Sequence, residues 1–134
     1  MRYQRVELPL KLDGLASARA FFAGCLAEGD PASERLWVAH VDDEGRCLHV
    51  SRHDGGPGGV DVPVRAIVLE AAQHHSAGIL LAHNHPSGDA QPSQADLRGT
   101  RRLASAAEAL DCQILDHLVF AGSECTSLRR LGYL

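Results

Sequence analysis

Apolar positions along the chain recur at two different periods. Between Leu15 and Leu26 the residues Leu15, Ala18, Phe22, Cys25 and Leu26 fall on one helical stripe, and Gly29 with Pro31 supplies the stop. The stretches Arg35–Val41 and Arg46–Ser51 read as two strands, with Asp42-Asp43-Glu44-Gly45 between them as a hairpin signal. Asp54–Gly59 is too rich in glycine for an element; it is expected to be an exposed, mobile connector, with a place beside a substrate groove as its second reading. Helical spacing returns from Val64 to His75, opened near Pro63, with Ile67, Val68, Ala71 and Ala72 as the buried positions.

The central pattern follows. Gly78–Ala82 is a continuous apolar run, too short for a helix, as a strand buried on both faces would be. His83 and His85 come next, Pro86 stops the ladder, and Ser87-Gly88-Asp89 turns the chain. Pro92-Ser93 then opens a helix whose inward positions are Leu97, Thr100, Leu103, Ala104, Ala107 and Leu110. Gln113–Phe120 is a further apolar strand, and Thr126–Arg129 a short last one. The order helix, hairpin, helix, strand, helix, strand predicts an α/β domain, a mixed sheet with helices on both faces.

Side chains two apart on a strand share a side, so both imidazoles leave the end of the central strand in one direction. A return of this length can bring Asp96, in the first turn of the next helix, back beside them. Two nitrogen ligands and one oxygen make an open zinc set, with the fourth tetrahedral position left to water. Ser93-x-x-Asp96 also satisfies the helix capping box. Both readings stand, because the serine can cap and still keep a hydroxyl proton for the site. The joint pattern His-x-His-x7-Ser-x2-Asp has more fixed positions than either reading alone explains.

A hydrolytic site also needs an acidic base. Glu28, Glu34, Glu44 and Glu70 are candidates, and spacing does not choose among them. Asp116 and His117 form an ionisable pair inside an apolar strand. Asp116 either accepts the second N–H of His83 or, with His117, fixes two elements together. His40, His49, His53, His74 and His75 lack ligand-like spacing and read as structural or exposed.

A length of 134 residues sets one domain as the expectation. The net charge of -4 gives no broad attraction to nucleic acid or to an anionic membrane. No apolar run reaches membrane-spanning length, and Met1–Arg5 has no signal-peptide core, so a cytoplasmic location is expected. The four cysteines, Cys25, Cys47, Cys112 and Cys125, contain no Cys-x-x-Cys and read as buried thiols.

His83-Asn84-His85-Pro86-Ser87-Gly88-Asp89 followed by Pro92-Ser93-x-x-Asp96 resembles the metal signature of the JAMM (JAB/MPN-plus) metalloproteases, in the form carried by RadC-like proteins. Leu115-Asp116-His117 and Ser127-Leu128-Arg129 resemble the segments that close such a domain. The resemblance implies an N-terminal extension over residues 1–14 and one JAB/MPN domain over residues 15–134. That domain is expected as a three-layer α/β/α mixed sheet related to the cytidine-deaminase fold. It also implies zinc held by His83, His85 and Asp96, with Glu34, just before the first strand, taking a proton from the activated water. Ser93 then donates to the oxyanion of the tetrahedral intermediate. The bond cut in such enzymes is a peptide or lysine isopeptide bond, so the implied partner is a protein or peptide substrate, a ubiquitin-like conjugate included. The alternative is an accessory role in DNA repair, in which the scaffold binds without proteolysis. Arg98, Arg101, Arg102, Arg129 and Arg130 are its candidate basic patch, against the plainer reading of a solvated face. A zinc deaminase requires His-x-Glu and Pro-Cys-x-x-Cys, and neither motif is present.

Overall fold

The computed structural model describes residues 10–55 and 61–134. Residues 1–9 of the expected N-terminal extension, and residues 56–59 of the expected glycine-rich connector, lie outside the described residues. The elements run in the order α1 (Leu15–Ala27), β1 (Arg35–Val41), β2 (Cys47–Asp54), α2 (Val64–His74), β3 (Gly78–Asn84), α3 (Gln94–Glu108), β4 (Gln113–Ala121) and β5 (Glu124–Ser127). The strands form one mixed sheet in the order β2-β1-β3-β4-β5. β1 runs antiparallel to both β2 and β3, β3 parallel to β4, and β4 antiparallel to β5. A parallel neighbour needs a crossover long enough to return the chain, and α3 supplies it.

Alternation along the central strands divides the core into two layers. Leu36 and Val38 of β1, Ile79 and Leu81 of β3, and Ile114 of β4 pack with Ile67 and Ala71 of α2 and Leu103 and Ala107 of α3. On the opposite face Ala39, Val41, Leu80, Ala82 and Leu118 pack with Ala18 and Phe22 of α1 and with Leu12. This is the expected α/β/α arrangement. It also fixes which way the site points: His83 continues the Ile79–Leu81 side of β3, toward α3.

Local chemistry sets the helix ends. Ser93 Oγ accepts the Asp96 N–H while the Asp96 carboxylate accepts the Ser93 N–H, so α3 opens on a complete capping box. α2 starts after Pro63 and closes on His75, which adopts a left-handed φ of 52° as its N–H reaches back to Ala71 and Ala72. In the β1–β2 turn Gly45 takes φ +83°.

Several boundaries and faces differ from the sequence reading. β2 begins one residue later and ends three residues later than Arg46–Ser51, because it lies at the sheet edge and pairs along its length with β1. β5 lies two residues before Thr126–Arg129, and Leu128–Arg130 turn instead. Ala72 is exposed on α2. α3 stops at Glu108, so Leu110 falls beyond the buried stripe and is 40 % exposed. Of the four cysteines, all free, Cys112 is buried and the other three are half-buried.

Candidate metal centre

The ladder between β1 and β3 ends at Leu36↔His83 and that between β3 and β4 at Asn84↔Phe120, which sets His83 and His85 where the central strands run out. The His85 N–H still bonds Phe120 O at 2.8 Å, so the extended path persists one residue past β3. Both rings therefore leave on one side, and their Nε2 atoms lie 2.9 Å apart. The turn through Ser87–Asp89 brings α3 back against them. Asp96 Oδ2 is 3.3 Å from His83 Nε2 and 3.1 Å from His85 Nε2. Glu34, immediately before β1, places Oε1 3.9 Å from each of the same two nitrogens. Glu34, His83 and His85 form a group able to hold a metal ion, their donor atoms lying within 4.8 Å of one another.

Hydrogen bonds behind the cluster fix the histidine tautomers. The Thr100 hydroxyl donates to Asp96 O at 2.7 Å, so at 2.7 Å from His117 Nδ1 it must accept. With its proton on Nδ1, His117 presents a bare Nε2, which accepts from His83 Nδ1–H at 2.7 Å. His85 Nδ1 donates to Asp89 O at 2.8 Å. Both imidazoles thus turn an unprotonated Nε2 toward the Asp96 carboxylate. Three lone pairs facing one another at 2.9–3.3 Å suit a positive centre among them. Tetrahedral ligands at zinc bond lengths of about 2.0–2.1 Å stand about 3.3 Å apart, so the donor set fits that ion.

Burial pushes the Asp96 carboxyl up, but positive charge on the His83 side and the Ser93 N–H outweigh it, and the group stays ionised far below the usual carboxylate range, as it does for any positive centre set among these atoms. The N-terminus of α3 favours the same charge. Burial holds His117 neutral, its pKa well below the ordinary histidine value, and His83 beside it acts in the same direction. His83 is shut off from solvent, while the His85 and Glu34 side chains remain 13 % and 16 % exposed, so the cluster opens to one side.

Other candidate residues take different places. The partner of His83 is His117, in place of Asp116, because adjacent residues of β4 face opposite layers. Asp116 binds the His117 and Arg129 N–H groups and the Ser127 hydroxyl, tying the C-terminal segment to β4. Ser93 caps α3 with its oxygen and keeps its own proton for a further acceptor. Glu44 pairs with Arg46 in the β1–β2 turn. Glu70 lies between α2 and the β1–β2 pair, where Ser51 and His40 bond its carboxylate and His49 stands 3.6 Å away. His49 and His74 stack there at 4.2 Å. The arginine patch loses Arg129, whose guanidinium bonds the carbonyls of Ile114 and Leu115. Two residues escaped the sequence reading: Thr100, read as packing alone, and Asn84.

An α/β sheet carrying a His–His–carboxylate cluster at the carboxyl end of a central strand defines a class of candidate metal-dependent domains. The chain belongs to the RadC-like JAB domain family, whose model matches residues 14–133. It is similar to a UPF0758 protein of Cellvibrio japonicus, 41% identical over 104 residues that cover 77% of this chain and 46% of the relative. A UPF0758 protein of Vibrio atlanticus is 38% identical over 106 residues, 78% of this chain and 47% of the relative. One of Bordetella petrii is 50% identical over 70 residues, 52% of this chain and 31% of the relative. The chain thus spans less than half the length of these relatives. Among the described residues no helix is long and apolar enough to cross a membrane.

Proposed function

We propose that this domain is a zinc-dependent hydrolase of JAMM type that cleaves a peptide or isopeptide bond in a protein or peptide substrate, ubiquitin-like conjugates being the first to test. The observation that carries the reading is the meeting of His83 Nε2, His85 Nε2 and Asp96 Oδ2 at 2.9–3.3 Å, with both imidazole tautomers set by the hydrogen bonds behind them. Membership of the RadC-like JAB family supports the same reading.

His83, His85 and Asp96 would hold the ion. When bound, zinc supplies Lewis acidity, bringing the pKa of water to about 7. Glu34, on the solvent side of the cluster, takes the proton from the attacking water and returns it to the departing amine. The Ser93 hydroxyl, whose oxygen is engaged by the Asp96 N–H, donates its proton to the oxyanion of the tetrahedral intermediate. His117 and Asp89 O hold the ring orientations through the reaction.

The test is a panel of ubiquitin-like fusions, isopeptide-linked conjugates and DNA, assayed with the zinc-loaded protein and with Glu34→Gln. Hydrolysis lowered at least about 10²-fold in the variant, with zinc content unchanged, is the expected outcome. DNA binding indifferent to every substitution at the metal cluster, with no bond cut, would replace the hydrolase by the accessory reading.

A further inference from the structure

The residue between the two histidines, Asn84, is turned to the start of β1. Its Oδ1 accepts the Arg35 N–H at 2.8 Å, and its Nδ2 donates to Ser33 O at 2.9 Å. One carboxamide therefore straddles Glu34, bonding the backbone on both sides of it. Arg35 grips the same segment from behind: its guanidinium, almost wholly buried, bonds the carbonyls of Leu26, Asp30 and Ser33. Gly29 leaves the space for it, since a Cβ there would collide with that guanidinium. The Glu34 carbonyl itself accepts Gly55 N–H at 3.0 Å. The peptide units around Glu34 are thus anchored, and beyond the last β1–β3 pair, Leu36↔His83, the side chain of Asn84 extends the link to the histidine strand across Glu34.

We infer that Asn84 is a positioning residue for Glu34, fixing the backbone that carries this carboxylate to the strand that carries His83, so that base and metal ligands move as one body. The inference rests on the reading of Glu34 as the base in the proposed reaction. A carboxamide suits the task because it presents one acceptor and one donor in a fixed fork. Aspartate would keep the bond to Arg35 and lose the bond to Ser33. The register matters because a displacement of about 1 Å in a reacting group can cost on the order of 10²-fold in rate.

The test uses the whole chain loaded with Co(II), as wild type, Asn84→Ala, Asn84→Asp and Glu34→Gln. Two quantities are read beside cobalt stoichiometry: amide hydrogen exchange at Arg35, and the pH midpoint of the cobalt visible absorption. In Asn84→Ala, exchange at Arg35 is expected to rise on the order of tenfold while one cobalt per chain is kept. The midpoint should shift in the same direction as in Glu34→Gln. Asn84→Asp retains an acceptor and is expected to hold the Arg35 amide near its wild-type rate, which covers the case in which alanine unsettles the fold. Wild-type exchange at Arg35 in Asn84→Ala would overturn the inference, and so would a wild-type midpoint in that variant while Glu34→Gln moves. A midpoint unmoved by Glu34→Gln is a different failure: it refutes the base reading itself, and the inference falls with it.

Discussion

At the scale of single residues, the site depends on where protons sit. His83 can offer Nε2 to a cation because His117 Nε2 accepts its Nδ1–H, and that Nε2 is bare because the Thr100 oxygen accepts a hydrogen bond from His117 Nδ1–H. Replacing His117 by leucine removes that acceptor while filling the same space with apolar atoms. Zinc affinity, read by competition with a chelator, is expected to weaken about 10–100-fold with circular dichroism unchanged. Unchanged affinity would mean that the tautomer of His83 is set by something else. The sequence made His83, His85 and Asp96 legible because their spacing is short-range. It did not reveal the pairing of His83 with His117, since that contact joins positions 34 residues apart and depends on the parallel register of β3 and β4. The Asn84 contacts were hidden for the same reason, reaching 49 and 51 residues along the chain.

At the scale of elements, the apolar run of β3 and the capping box of α3 identified themselves, because burial on both faces and an N-terminal cap each leave a local signature. Edge strands leave a weaker one. β2 shows no fully buried position, and its extent is set by what it pairs with. The scattered histidines gave no signal in one dimension, yet α2 and the β1–β2 pair bring His40, His49 and His74 around Glu70. Burial lowers the pKa of His40, and the bond to Glu70 offsets this only in part. The unfolded chain therefore takes up a proton at His40 before the folded one does. Stability is full above the ordinary histidine value of 6.5 and is lost as pH falls below it. Glu70 acts with the same sign at lower pH. Its carboxyl is held below 4.5: burial pushes it up, but the bonds from Ser51 and His40 outweigh that. Urea denaturation with chelator present, so that metal uptake adds nothing, should show stability falling between pH 7 and 5.5 in the wild type. The fall should be shallower in His40→Gln, and equal slopes would refute this account.

At the scale of the whole molecule, the site lies where open α/β sheets usually bind ligands, at the carboxyl ends of strands. β3 has an antiparallel neighbour on one side and a parallel one on the other, and its end is met by the N-terminus of α3. A separate cavity of about 830 Å³, lined by Leu12, Val41, Gly78, Leu80 and Leu115, opens at the opposite end of β3 and shares no residue with the metal cluster. The three-layer plan followed from the order of elements, because each helix had one apolar face and the sheet two. Function follows less directly, since the fold is shared by many chemistries and the cluster alone selects among them.

The measurement that bears most directly on this account is the zinc content of the purified protein by elemental analysis, with loosely bound metal removed, for wild type, His83→Ala and Asp96→Ala. The account predicts close to one zinc per chain in the wild type and little in either variant. A wild type that takes up no zinc even when it is supplied would contradict it, leaving His83, His85 and Asp96 as structural groups on a JAB scaffold.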